Sequence, residues 1–369
     1  MIELENIVKI YPGSAQPAVN DLSFKVAEGE TCVLIGPSGC GKTTTLKMIN
    51  RLIEPTSGRI ILQGKNVLDM DPVQLRRGIG YVIQQIGLFP HMTIAENINV
   101  VPRLLGWDKD KMRKRVGELI EMVGMDPADF RDRYPRQLSG GQRQRIGVAR
   151  ALAADPPVLL MDEPFGAIDP ITRDRLQNEF LRLQKRLKKT IAFVTHDIDE
   201  ALKMGTMICI LEVGGILAQA DTPARILSEP ASSFVAEFVG ADRGLKRLNL
   251  VRVGDAMQQD VVLLAASEKA ESALEILRTW GHDSAIVVDD EEKLVGYVSL
   301  ESARRNPDKK VGDIAREIIA ATEVEATMKD AFSEMLSFSL SYMPVLGEED
   351  KVVGIITAED AQRLIQSKA

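Results

Sequence analysis

The sequence predicts an α/β chain in two parts. A nucleotide-binding unit on a mostly parallel sheet comes first, and a smaller α+β unit built from two copies of one pattern follows. Three observations carry this prediction. "GPSGCGKT" (Gly36–Thr43) has the G-x-x-x-x-G-K-[ST] spacing, and it lies between a short apolar strand, "ETCVLI", and a run with helical apolar spacing, "TTLKMINRLI". "VLLMDEP" (Val158–Pro164) is an apolar β-type run closed by two adjacent carboxylates. From Val251 onward the chain repeats itself in one ungapped register: Val253–Asp255 recurs as Val311–Asp313, Ala273 as Ala331, Val287 as Val345 and Gly296 as Gly354.

Bulk properties narrow the classes. At 369 residues the chain is long enough for two or three domains. A net charge of −7 with interspersed signs offers no broad cationic face, so no nucleic-acid partner is expected. The longest apolar stretch, "MICILEVGGILAQA", is interrupted by Glu212 and glycines, so the chain itself is not expected to cross a membrane. "MIELENIVKI" lacks the basic-then-apolar order of a secretory signal, which predicts the cytosol. Cys32, Cys40 and Cys209 are odd in number and widely spaced, which points to reduced thiols rather than a disulfide framework or a zinc site.

The chemistry of the first unit follows from its motifs. Across Gly36, Pro37, Ser38, Gly39, Cys40 and Gly41 the loop turns successive backbone N–H groups onto phosphate oxygens, and the helix behind it adds its positive end. Lys42 is placed for the β- and γ-phosphates, Thr43 for Mg²⁺, and Thr44 continues the same helix start. A buried strand ending in Asp162 delivers that carboxylate to the mouth of the sheet, where it serves the metal's hydration shell. Glu163, one residue on, is placed to polarise a water for attack on the γ-phosphate. "LSGGQRQR" (Leu138–Arg145) reads as a second phosphate-binding helix start, with Ser139, Gly140, Gly141 and Gln142 ahead of "RQRIGVARALA".

Taken together, these motifs resemble the ATP-binding cassette (ABC) ATPases, whose signature sequence Leu138–Arg145 reproduces. The resemblance implies a P-loop nucleotide-binding domain with a helical subdomain, and it assigns further residues. Tyr11 in "KIYPG" would stack on the adenine; Gln84 in "YVIQQIGLFPH" would touch Mg²⁺ and the attacking water, with Gln85 as a neighbour easily confused with it. Asp169 in "FGAIDP" falls in the loop that crosses between subunits, and His196 in "FVTHD" matches the γ-phosphate contact. A family that closes ATP between the loop of one subunit and the signature of another implies a homodimer, and ATP rather than GTP. Between about Gly87 and Leu138 the chain reads as a helical insertion, with Val116, Leu119, Ile120 and Val123 on one face. The importers of this family receive a membrane partner there, and Leu88, Phe89 and Met92 are the candidate contacts, ordinary core filling being the other reading.

The repeated part resembles a tandem pair of cystathionine-β-synthase (CBS) domains, a regulatory α+β module. The expected organisation is residues 1–240 for the ATPase, 241–250 for a linker, 251–308 for the first copy and 309–369 for the second. In the CBS family a glycine, a Ser/Thr three positions on and an aspartate three further close on ribose and phosphate. Gly354, Thr357 and Asp360 fit, whereas the first copy has Gly296, Ser299 and then Ser302. A regulatory adenine nucleotide or cyclic di-AMP at Thr357 and Asp360 is the expectation, with a purely dimerising pair as the alternative. The combination resembles the ATPase subunits of osmoprotectant importers, which move glycine betaine, carnitine or choline. That implies separate permease subunits, a substrate-binding protein, a peripheral position on the cytoplasmic membrane face and no covalently bound cofactor. The rival is a soluble ATP-driven switch whose CBS pair only dimerises.

Overall fold

The computed structural model describes residues 1–83, 87–166, 168–281 and 283–366, and Gln84 and Gln85 lie outside them. The chain divides into two compact units, Met1–Gly240 and Ala241–Ala369. Among the described residues no helix is long and apolar enough to cross a membrane.

The described residues of the first unit form ten strands: β1 (Ile2–Lys9), β2 (Val19–Val26), β3 (Thr31–Ile35), β4 (Ser57–Leu62), β5 (Lys65–Asn66), β6 (Ile79–Val82), β7 (Val158–Asp162), β8 (Thr190–Val194), β9 (Met207–Glu212) and β10 (Ile216–Asp221). Four form an antiparallel sheet ordered β2-β1-β4-β5. The other six are ordered β10-β9-β3-β8-β7-β6, parallel throughout except for the β10–β9 edge. Every residue of β3, β7 and β8 is buried, as central parallel strands covered on both faces require. One core joins the sheets, with Ile2, Leu22, Leu34, Leu46, Ile60 and Val194 inside it. In the same core the thiols of Cys32 and Cys209 meet at 3.6 Å, and that contact, followed by burial, raises the Cys32 pKa.

From Gly87 to Leu138 every regular element is helical. The longest helix, Lys109–Met122, buries Val116, Leu119 and Ile120 and turns its Lys and Glu residues outward, while Arg115 reaches in to donate to Leu152 O and Ala153 O. Asp108 caps it by accepting from Lys111 N at 2.9 Å.

The second unit contains two three-stranded sheets of the same plan: β11 (Leu263–Ala265), β12 (Ser284–Val288) and β13 (Leu294–Ser299), then β14 (Thr322–Glu323), β15 (Tyr342–Leu346) and β16 (Val352–Thr357). In each, the first pair is parallel and the second antiparallel. The leading arms of the copies are exchanged. Val253 N and Gly254 N donate to Ala326 O and Val324 O of the second copy, while Val311 N and Gly312 N donate to Glu268 O and Ala266 O of the first. Val253 is accordingly buried in the second copy's core and Val311 in the first's. Residues 241–250, read from sequence as a polar linker, include the helix Arg243–Arg247. Leu248 is buried in the second copy's core, and a Cβ on Gly244 would sit 2.9 Å from Ile365 Cγ2 on the C-terminal helix. One leucine and one close-approach glycine thus fold the stretch into the second unit.

Candidate nucleotide site

The C-terminal ends of β3, β7 and β8 are level, because Val194 pairs with Leu34 on one side and Asp162 on the other. Ligands of open α/β sheets gather at such an edge. β3 runs into the phosphate loop, which ends at Gly41 in left-handed backbone (φ 94°) before the helix Lys42–Ile49. A Cβ at Gly41 would meet Ala18 O at 2.4 Å, so close approach as well as φ fixes glycine there. Lys42 is nearly buried, and its ammonium donates to Gly36 O at 2.8 Å and Pro37 O at 3.0 Å. Those bonds curl the loop around the position an incoming phosphate would take, with the cation at its centre.

Thr43 Oγ1 donates to Asp162 Oδ1 at 3.0 Å, so the hydroxyl and carboxylate expected at the metal are already adjacent. Burial pushes the Asp162 carboxyl up, and the Thr43 hydroxyl bond pulls against it. Two hard oxygens beside a phosphate loop fit Mg²⁺, which takes one or two protein oxygens and fills its octahedron with phosphate and water. Tyr81, on the neighbouring strand, is pushed up to about 12 by burial and then by the Asp162 charge.

Glu163 follows at once in backbone of positive φ (46°), tied by its N–H to Val194 O at 2.9 Å. His196 ends the same edge, with Nδ1 3.4 Å from Glu163 Oε1. Adjacent parallel strands therefore bring together two residues 33 positions apart. Tyr11 is 38% exposed, with its hydroxyl 3.4 Å from Thr44 Oγ1 and the Lys9 ammonium 5.3 Å from its ring centroid.

Ser139 and Gln142 form a reciprocal capping box: Ser139 Oγ accepts from Gln142 N at 3.3 Å, and Gln142 Oε1 from Ser139 N at 2.9 Å. The box fixes the start of the helix Gly140–Ala151, whose first-turn N–H groups on Gly140 and Gly141 have no intrahelical acceptor. Asp169 caps the helix Pro170–Leu187 through Thr172 N at 3.0 Å, and that bond, then the Thr172 hydroxyl, holds its carboxyl below the usual range.

In the second unit Asp360 is not open to solvent. It is 4% exposed; Gln258 Nε2 donates to Oδ1 at 3.2 Å and Oδ2 at 3.0 Å, and Thr357 donates to Oδ2 through N at 2.9 Å and Oγ1 at 2.7 Å. In the first copy, Ser302 Oγ instead donates to Ile314 O at 3.4 Å.

Sequence reasoning missed Asn97. It is fully buried: Oδ1 accepts from Phe89 N at 2.8 Å, while Nδ2 donates to Phe89 O at 3.2 Å, Met92 O at 3.1 Å and Thr93 O at 2.9 Å. It pins the turn that follows residue 86, with Leu88 and Met92 half-buried and Phe89 exposed. The Thr93–Glu96 capping box was the available signal.

A phosphate loop, a strand-end carboxylate pair with its histidine, and a capped SGGQ helix define an ABC-type ATPase. The ABC transporter family model matches residues 19–166, and the CBS domain family model matches residues 253–307 and 311–367. The glycine betaine/carnitine/choline transport ATP-binding protein OpuCA of Bacillus subtilis (strain 168) is 50% identical over 360 residues, 97% of this chain and 94% of that one. The osmoprotectant import ATP-binding protein OsmV of Salmonella typhimurium is 50% identical over 363 residues, again 97% and 94%. Among solved structures, the dimeric MJ0796 bacterial ABC transporter cassette aligns with TM-score 0.54 and 35% identity over 60% of this chain and 99% of that one. CbiO1 of Clostridium perfringens aligns with TM-score 0.59 and 25% identity over 68% and 94%. The chain belongs to the ABC transporter ATPases and, within them, to the osmoprotectant-transport ATP-binding proteins with tandem CBS domains.

Proposed function

We propose that this chain energises uptake of a quaternary-amine osmoprotectant such as glycine betaine, carnitine or choline, working as a homodimer beneath separate permease subunits that a substrate-binding protein supplies. The observation that carries the reading is the likeness to OpuCA and OsmV across 97% of the chain, both units included. The site geometry supports the same chemistry. Lys42 and the loop N–H groups hold the β- and γ-phosphates, Thr43 and Asp162 hold Mg²⁺, and Tyr11 stacks on adenine. Bound Mg²⁺ would neutralise charge on the phosphate oxygens. Glu163 orients and deprotonates the attacking water, with His196, 3.4 Å away, keeping that carboxylate and the γ-phosphate in register. Gln84 is assigned to the water and metal on the family resemblance alone. Ser139, Gly140, Gly141, Gln142 and Asp169 complete the site of the second copy, so ATP closes the dimer and hydrolysis reopens it.

The exposed ring of Phe89, with Leu88 and Met92, is the proposed seat for the permease, which holds the ATPase on the cytoplasmic membrane face. A regulatory nucleotide at Thr357 and Asp360 would have to displace the Gln258 amide from the carboxylate. The test is reconstitution of the chain with permease and binding protein in liposomes, with hydrolysis measured with and without each amine. Solute-stimulated hydrolysis and uptake are expected. Hydrolysis indifferent to every solute would favour a soluble ATP-driven switch.

A further inference from the structure

The helix Pro170–Leu187 begins at its N-cap, Asp169, and is bonded to the segment that carries His196. Two side chains one turn apart on it, Arg173 and Gln177, reach that segment. Arg173 donates to Ile168 O at 2.9 Å and lies 3.6 Å from Asp197 Oδ2, so it spans from the loop before the helix to the residue after His196. Gln177 Nε2 donates to Glu200 Oε1 at 2.9 Å. Both partners are almost fully buried, at 5% and 6% exposure. Glu200 is also tied to the residue after His196 through its own backbone N–H. Thr195 Oγ1 accepts from Asp197 N at 3.1 Å, and Asp197 Oδ1 from Glu200 N at 3.2 Å, so one chain of bonds runs past the histidine from Glu200 to Thr195.

A buried carboxylate with an amide partner is a poor source of stability, since two well-packed apolar side chains would fill the same volume at no greater cost. What the pair provides is a fixed position. We infer that Gln177 and Glu200 are positioning residues for ATP hydrolysis: they lock the helix that starts at Asp169 to the Thr195–Asp197 segment, and so hold His196 in register with Glu163. Neither touches the reacting atoms. Their effect passes through Thr195 and Asp197 to the His196 ring, so it falls on the chemical step and not on ATP affinity.

The test compares Gln177→Leu/Glu200→Leu with Glu200→Gln in the full chain, reading melting temperature, KM for ATP and kcat. The double variant should melt close to wild type and keep its KM within about twofold, while kcat falls about ten- to a hundredfold, the scale of a sub-ångström to ångström misplacement. Glu200→Gln keeps an acceptor for Gln177 and the backbone bond to Asp197, and should stay within about threefold of wild-type kcat. A folded double variant with wild-type kcat would overturn the inference. A loss carried by KM, or a Glu200→Gln rate as low as the double variant's, would do the same. If the double variant does not fold, Gln177→Leu alone is read by the same criteria.

Discussion

Replacing Gly41 by alanine puts a methyl group where the phosphate loop has no room for one, whereas Gly39→Ala, two residues earlier, meets open space. Both glycines have positive φ, 94° at Gly41 and 80° at Gly39. Alanine in left-handed backbone costs about 1–2 kcal/mol at either position. At Gly41 the added Cβ would lie 2.4 Å from Ala18 O and 2.9 Å from Val19 Cγ2, while at Gly39 nothing lies within 4 Å. Relieving the Gly41 contacts means moving the loop away from β2, and overpacking of that kind adds about 1–3 kcal/mol. The totals are then about 1–2 kcal/mol for Gly39→Ala and about 2–5 kcal/mol for Gly41→Ala. At about 2–4 °C per kcal/mol for a unit of this size, the ATPase unit should melt roughly 2–8 °C lower in the first variant and roughly 4–20 °C lower in the second. Calorimetry without nucleotide isolates this effect from phosphate contacts, and steady-state hydrolysis should be lost in Gly41→Ala as the Lys42 anchors shift. A Gly41→Ala chain that melts no lower than Gly39→Ala would refute the reasoning.

Glu163→Gln should lower kcat about 10²–10⁴-fold, because an amide cannot take the proton, yet still form ATP-bound dimers resolvable by size-exclusion chromatography; retained turnover would remove Glu163 from the role of base. Asn97→Leu fills the same volume but orphans Phe89 N–H, so the ATPase unit should lose about 1–3 kcal/mol of stability and solute-stimulated hydrolysis should fall more than basal hydrolysis, measured with and without permease. Glu200 is pushed above its ordinary 4.5 chiefly by burial, so the folded chain binds the proton more tightly than the unfolded one and wild type loses stability as pH rises through that interval. Glu200→Gln does not titrate, and its melting temperature should therefore gain on wild type as pH rises above the ordinary carboxyl range and level off once the raised Glu200 pKa is passed, in a series of melting curves against pH. Asp360→Ala should blunt any response of hydrolysis to AMP or cyclic di-AMP while sparing the basal rate, read in the reconstituted system.

The phosphate loop, the strand ends and the capped SGGQ helix were legible in the sequence because each motif couples one chemistry to one local backbone shape. Asp162 and Thr43 could be paired on paper since both belong to such motifs. Gln177 and Glu200 could not, because a single polar residue in an amphipathic helix looks the same facing solvent as facing a buried partner. Asp360 was visible in the repeat, but its bidentate donor Gln258 lies 102 positions away, and no local pattern connects the two. The exchange of arms was invisible for a related reason: a 58-residue register reads identically whichever copy each arm packs against.

That exchange decides how the second unit can come apart. Arg252 donates to Glu325 O across 73 residues, and the matching arm of the other copy runs back to Glu268 and Ala266. Cleaving the chain after Asp308 would therefore not release two small domains; each fragment would carry a plug for its neighbour's core and a hole in its own. The pair should cross its folding barrier in one late, topologically slow step, and should pass through gene rearrangement only as an inseparable couple.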